Sequence, residues 1–188
     1  MTTSAKTTQI TLAARPVGEP DDSTFGTVTT DLPELAEGQV LLRTVYLSLD
    51  PYMRGRMSAA KSYAAPWEVG QVMQGATVCE VVESRSDRRK VGDLVLAYSG
   101  WQTYAVADAR HMRSLDPAAA PVSTALGVLG MPGFTAYAGL LQIGRPSRAR
   151  PSRWPLPPAR SGPRSARSPS SRGPAPSASP AARRSAAP

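Results

Sequence analysis

Residues 47–57 read L-S-L-D-P-Y-M-R-G-R-M, directly after an apolar run of Val40, Leu41, Leu42 and Val45. That run reads as a strand over 39–49. Asp50-Pro51 stands where the strand must stop, because the proline ring crowds the residue before it out of the helical region. Tyr52, Met53, Arg54 and Arg56 are therefore expected on a loop held at a strand end, a common seat for binding groups. The plainer reading is an ordinary turn with a solvated basic pair.

Working outward, 9–13 (Q-I-T-L-A) alternates and reads as a strand, 25–29 as another, and D-L-P-E-L-A-E-G over 31–38 as a turn. Residues 58–68 have no clean period and are taken as a loop. Segments 69–73 and 77–82 alternate around Gly75, as two strands or one bent strand. A polar turn over 84–90 leads to strands at 94–98 and 101–106. Short strands broken by Gly and Pro turns predict a mainly β fold, either a small barrel or a sandwich. Beyond Pro121 the pattern turns helical. Ser123 is placed to cap one short helix, and Thr135 to cap a second after Pro132-Gly133. The predicted organisation is a frayed 1–8, a β domain over 9–120, a helical junction over 121–144 and a tail over 145–188.

Composition separates the tail from the rest. Ten of the 22 basic residues lie from Arg145 onward, and all 14 acidic residues lie at or before Asp116. The body thus holds 12 basic against 14 acidic residues, a net −2, without the clustered basic face that specific nucleic-acid binding needs. A single Cys excludes a disulfide framework and suits a reducing cytoplasm. No run approaches membrane-spanning length. From 145 onward the chain is Arg, Pro, Ser and Ala, with Trp154 and Leu156 its only bulky apolar residues. Such a segment buries too little to offset an ordering entropy of about 1–2 kcal/mol per residue, and disorder is expected.

Four motifs occur in order: V-Y-L-S-L-D-P-Y-M-R-G-R-M, V-G-Q-V-M-Q-G, V-G-D-L-V-L-A-Y-S-G-W-Q-T-Y-A-V and L-G-M-P-G-F-T-A-Y-A-G-L-L-Q-I-G. Over residues 8–144 the chain resembles the zinc-independent medium-chain dehydrogenase/reductases of the prostaglandin reductase, leukotriene B4 12-hydroxydehydrogenase and alkenal double-bond reductase group. The resemblance implies a GroES-like β-barrel supplying the substrate side of the active site. It also implies that a Rossmann domain binding NADP(H) should begin just after Gly144. The tail stands in place of that domain. Read in a shifted frame, residues 146–185 can encode an apolar strand and then a Gly-rich turn opening a helix, the layout of a dinucleotide-binding unit. A register slip in the message is therefore expected, with a chain that binds no dinucleotide and is inactive. The alternative is a non-catalytic GroES-like module whose basic tail binds RNA or acidic partners.

The implied chemistry is hydride transfer to an alkene activated by a ketone or aldehyde, with an enone, an enal or a related quinone as substrate. In such a reaction the protein mainly positions the reactants and stabilises an oxyanion. Tyr52 is the catalytic candidate, its phenol facing the substrate carbonyl or the nicotinamide; packing under the loop is the alternative. Met53, Arg54 and Thr135 are the cofactor-binding candidates, Thr135 competing with a capping role. Arg54 and Arg56 are both suited to bidentate contact with phosphate or carboxylate. No metal site is expected, since zinc-dependent relatives need several Cys and His ligands and this chain has one of each. Cys79 is read as core, His111 as surface, and Trp101 and Tyr104 as core aromatics. For the intact parent the resemblance leaves a homodimer open. Losing the second domain should expose an apolar face over 121–143.

Overall fold

Val40 and Leu42 alternate with Leu41 and Arg43, and this period of two sends the first pair to one face of a strand. The computed structural model describes residues 6–145. Both Val40 and Leu42 are fully buried in it. They lie on β3 (Gln39–Leu47), the second strand of a five-stranded antiparallel sheet. Its other members are β4 (Thr77–Ser84), β5 (Leu94–Ala97), β6 (Tyr104–Asp108) and β7 (Arg113–Leu115), in the order β6-β3-β4-β5-β7. Cys79, Val81, Val95, Ala109 and Met112 close the first core against β3. The β3–β4 register shifts at Leu41/Leu42 and again at Thr44/Tyr46, as bulges that increase local twist do.

A second sheet pairs β1 (Lys6–Leu12) with β2 (Phe25–Asp31), from Lys6 opposite Asp31 to Leu12 opposite Phe25. The free side of β1 is stitched to the rest of the domain by single bridges, Gln9 to Gln102 and Thr11 to Val72. Backbone bonds from Ile10 N to Trp101 O (2.8 Å) and Met73 N to Ile10 O (2.9 Å) tighten the seam. Beneath it lies a second core of Leu12, Met53, Met57, Trp67 and Met73. Trp101 packs on this core, stacked on Phe25 with ring centroids 5.8 Å apart.

Several boundaries differ from the sequence expectation. The first strand begins at Lys6, because the buried Thr7 hydroxyl donates to the Tyr104 carbonyl at 2.8 Å. Residues 6–8 are therefore ordered pairing residues, not a frayed end. The expected strand over 69–73 is reduced to one bridge. Gly70, at φ 88°, turns the chain there, and its N–H bonds Leu12 O at 2.7 Å. β6 begins at Tyr104 rather than 101, since Trp101 N–H is spent on Met73 O at 2.7 Å.

The expected loop after Asp50 is a short helix, α1 (Tyr52–Arg56). Pro51 itself has helical angles (φ −56°, ψ −32°), so the proline that ends the strand also starts a helical turn. Ser123 caps nothing: residues Val122–Leu126 form a 3-10 turn without a side-chain cap. Thr135 lies inside α2 (Met131–Ala138) instead of capping it, because Pro132 in the first turn starts that helix earlier. A π turn, Gly139–Gly144, follows. Neither contains a buried residue, and Phe134, Tyr137 and Ile143 are exposed. The tail expectation for 146–188 lies outside the described residues.

Candidate functional site

α1 is one and a half turns long, and its 3.6-residue period sorts the side chains of the D-P-Y-M-R-G-R-M stretch. Met53 and Met57, four apart, point into the second core and are 3% and 4% exposed. Tyr52 and Arg56, also four apart, line a cleft of about 240 Å³ on the other side. Arg54 takes a third direction and holds the chain before β2 from outside. Its Nη2 donates to the carbonyls of Gly18 (2.7 Å) and Pro16 (3.2 Å).

The cleft has a polar rim and an apolar floor. Ser48 and Asp50 enter it from the chain leaving β3, and the Ser48 hydroxyl donates to Asp50 Oδ2 at 2.8 Å. Tyr63 and Tyr98 stand at the mouth and are mostly exposed. Ala76, Leu96, Ala125 and Leu126 form the apolar part, with Met131 and Pro132 at the start of α2. Burial pushes the Tyr52 phenol above its ordinary value of 10.0, and the Asp50 carboxylate adds to this, while Arg56 pulls the other way. Tyr52 is therefore a neutral hydroxyl and a hydrogen-bond donor throughout the physiological range.

Gly75 and Gly100 make this arrangement possible. A Cβ on Gly75 would lie 2.9 Å from Met53 Cε and 3.2 Å from Trp101 Nε1. Gly100, at φ 78°, brings its backbone against Met73 O and sets the turn that carries Tyr98.

Of the four candidate residues, Tyr52 alone lines the cleft. Met53 lies under α1, where its sulfur accepts from Asp50 N–H at 3.4 Å. Arg54 is engaged as described, and Thr135 is exposed on α2. Cys79 is fully buried and His111 is exposed at the end of a 3-10 turn. Among the described residues no group of three or more His, Cys, Asp or Glu is placed to hold a metal. Sequence reasoning missed Ser48, Asp50, Tyr63 and Tyr98. The first two carry a local signal, since 48, 50 and 52 alternate toward one side, whereas Tyr63 and Tyr98 arrive from distant segments.

An antiparallel β domain with a bulged sheet, a stitched second sheet and a short helix beside an aromatic cleft is the GroES-like domain of zinc-independent medium-chain dehydrogenase/reductases. Residues 8–115 match the family described as the N-terminal domain of oxidoreductase, and the chain belongs to it. It is similar to the NADPH-dependent curcumin reductase of Escherichia coli, 54% identical over 135 residues covering 72% of this chain and 39% of that protein. Prostaglandin reductase 1 of Oryctolagus cuniculus is 44% identical over 129 residues, 67% of this chain and 35% of that one. Among solved structures, CurA from Vibrio vulnificus in complex with NADPH superposes with a TM-score of 0.69 at 54% identity, over 74% of this chain and 42% of that chain. The chain thus spans about two fifths of the length of the relatives it matches.

Proposed function

We propose that this chain supplies the substrate wall of an NADP-dependent reductase acting on carbon–carbon double bonds conjugated to a ketone or aldehyde, in enones, enals or related quinones. The observation that carries this reading is the neutral Tyr52 hydroxyl beside an apolar floor in a cleft of about 240 Å³. That volume falls below the roughly 300–1,000 Å³ of pockets enclosing a whole drug-sized ligand, as one wall of a site would. The floor fits a flat conjugated skeleton or the ring end of a nicotinamide. The described residues do not fit a nucleotide's diphosphate, since Arg54 is committed to carbonyls and none of the described strands runs through a glycine-rich turn into a helix.

When bound, a reduced nicotinamide supplies the hydride. The chain's own part is to orient and to polarise. Tyr52 Oη–H donates to the substrate carbonyl oxygen and stabilises the negative charge that develops there. The apolar floor holds the conjugated plane and keeps water from it. Asp50, fixed by Ser48, favours the protonated phenol that this role requires.

A chimera of residues 1–144 with the remainder of the E. coli curcumin reductase tests the reading. It should reduce an enone with NADPH, and Tyr52→Phe should lower kcat/KM by about 10–100-fold, the size of one lost oxyanion donor or slightly less. A folded chimera without enone turnover, or a Tyr52→Phe variant at full rate, would overturn it.

Residues 1–188 by themselves are expected to bind no dinucleotide and to be inactive. An NADPH fluorescence titration showing micromolar binding would contradict this. The residue pattern of 146–185 supports a register slip in the message, which the coding DNA around codon 146 tests directly. A cytoplasmic setting accords with the single reduced Cys79.

A further inference from the structure

Arg54 and Arg56 read alike in the sequence, but the fold separates them. Arg54 gives Nε and Nη2 to the Gly18 carbonyl (3.1 and 2.7 Å) and Nη2 also to Pro16 O. Arg56 lines the cleft and makes no ion pair within the described residues. Its guanidinium carbon lies 5.5 Å from the centroid of the Trp67 ring, and Trp67 is 1% exposed. The Arg56 Nε is shielded from solvent without a protein partner.

We propose that Arg56 is an anion-binding subsite of the cleft that receives the carboxylate of a substrate carrying both an acid group and a conjugated ketone or aldehyde. This rests on the reading of the cleft as a substrate wall. A cation held over a buried indole has lost part of its hydration on that side, and a planar carboxylate can meet its remaining donors as a fork. With Nε shielded, the two Nη groups, which make no hydrogen bond to a described residue, are the donors left for a ligand oxygen. The other charged group facing the cleft is Asp50, whose Oδ2 accepts from Ser48. Asp50 repels a carboxylate and so directs the acid end toward Arg56, one helical turn beyond Tyr52.

The test uses the full chain with 4-carboxybenzylideneacetone and its methyl ester, followed through the Trp67 indole N–H signal in nitrogen-15 NMR spectra. The acid should bind about tenfold tighter than the ester, as a charge-assisted bidentate contact predicts, and should shift the Trp67 signal. Salt should weaken the preference. Arg56→Gln should bring acid and ester to parity, while Arg54→Gln keeps the preference. If Arg56→Gln does not fold, Arg56→Lys carries the test: loss of most of the preference supports the subsite, and its full retention overturns it. Equal binding of acid and ester to the unaltered chain would sink the Arg56 inference and leave the cleft reading standing. Binding of neither would remove both.

Discussion

Trp67→Ala should lower folding stability by about 3–5 kcal/mol, the range for deleting a large aromatic from a packed core. Trp67 is 1% exposed and belongs to the second core with Leu12, Met73, Met53 of α1 and Met57 just after it. Its backbone N–H also bonds Arg56 O at 2.8 Å, and its ring lies beside the Arg56 guanidinium. Removing the indole therefore opens a cavity beneath α1 and frees the element that presents Tyr52. Urea unfolding followed by circular dichroism should show a lower midpoint with an unchanged slope. Trp67→Phe is the control. The indole N–H has no hydrogen-bond partner, so phenylalanine loses volume but no hydrogen bond and should cost about 1–2 kcal/mol. If the alanine variant matched wild type, the second core would not be the support of the site.

Gly100→Ala should cost roughly 2–4 kcal/mol, combining a left-handed backbone penalty of about 1–2 kcal/mol with a steric clash. Gly100 has φ 78°, and a Cβ there would lie 2.8 Å from the Met73 carbonyl oxygen. That oxygen belongs to backbone and already accepts the Trp101 N–H at 2.7 Å, so it cannot swing away. The strain falls on the seam between β1, the 71–75 segment and the turn bearing Tyr98. Gly38→Ala is a useful comparison, since it has φ 80° but nothing within 4 Å of the added Cβ. It should therefore show the backbone penalty alone. Equal thermal midpoints for the two variants would mean that the close approach at Gly100 carries no energy.

The two variants probe what local pattern did not reveal. Trp67 lies in a stretch with no periodicity, and Gly100 in the gap between the strands expected at 94–98 and 101–106. The alternation over 69–73 is real, yet Gly70 turns the chain and only Val72 pairs. The D-P step told of a strand end correctly, but Pro51 also suits the first turn of a helix, so the residues after it coil. In the same way Pro132 moved the start of α2 ahead of Thr135. Each of these differences arises where one residue satisfies two local rules and packing selects between them.

By itself the sequence determined the mainly β character, the strand faces buried in the first core, the family and the prominence of Tyr52. These rest on periodicity and on contiguous motifs, which are local properties of a chain. Only the tertiary structure decided which neighbours of Tyr52 share its cleft. It sent Met53 into the core, tied Arg54 to the carbonyls of Pro16 and Gly18, left Arg56 facing the cleft and brought Tyr63 and Tyr98 to the rim. The physical reason is the helical turn after Pro51. A rotation of about 100° per residue separates adjacent side chains, and their partners come from segments far along the chain.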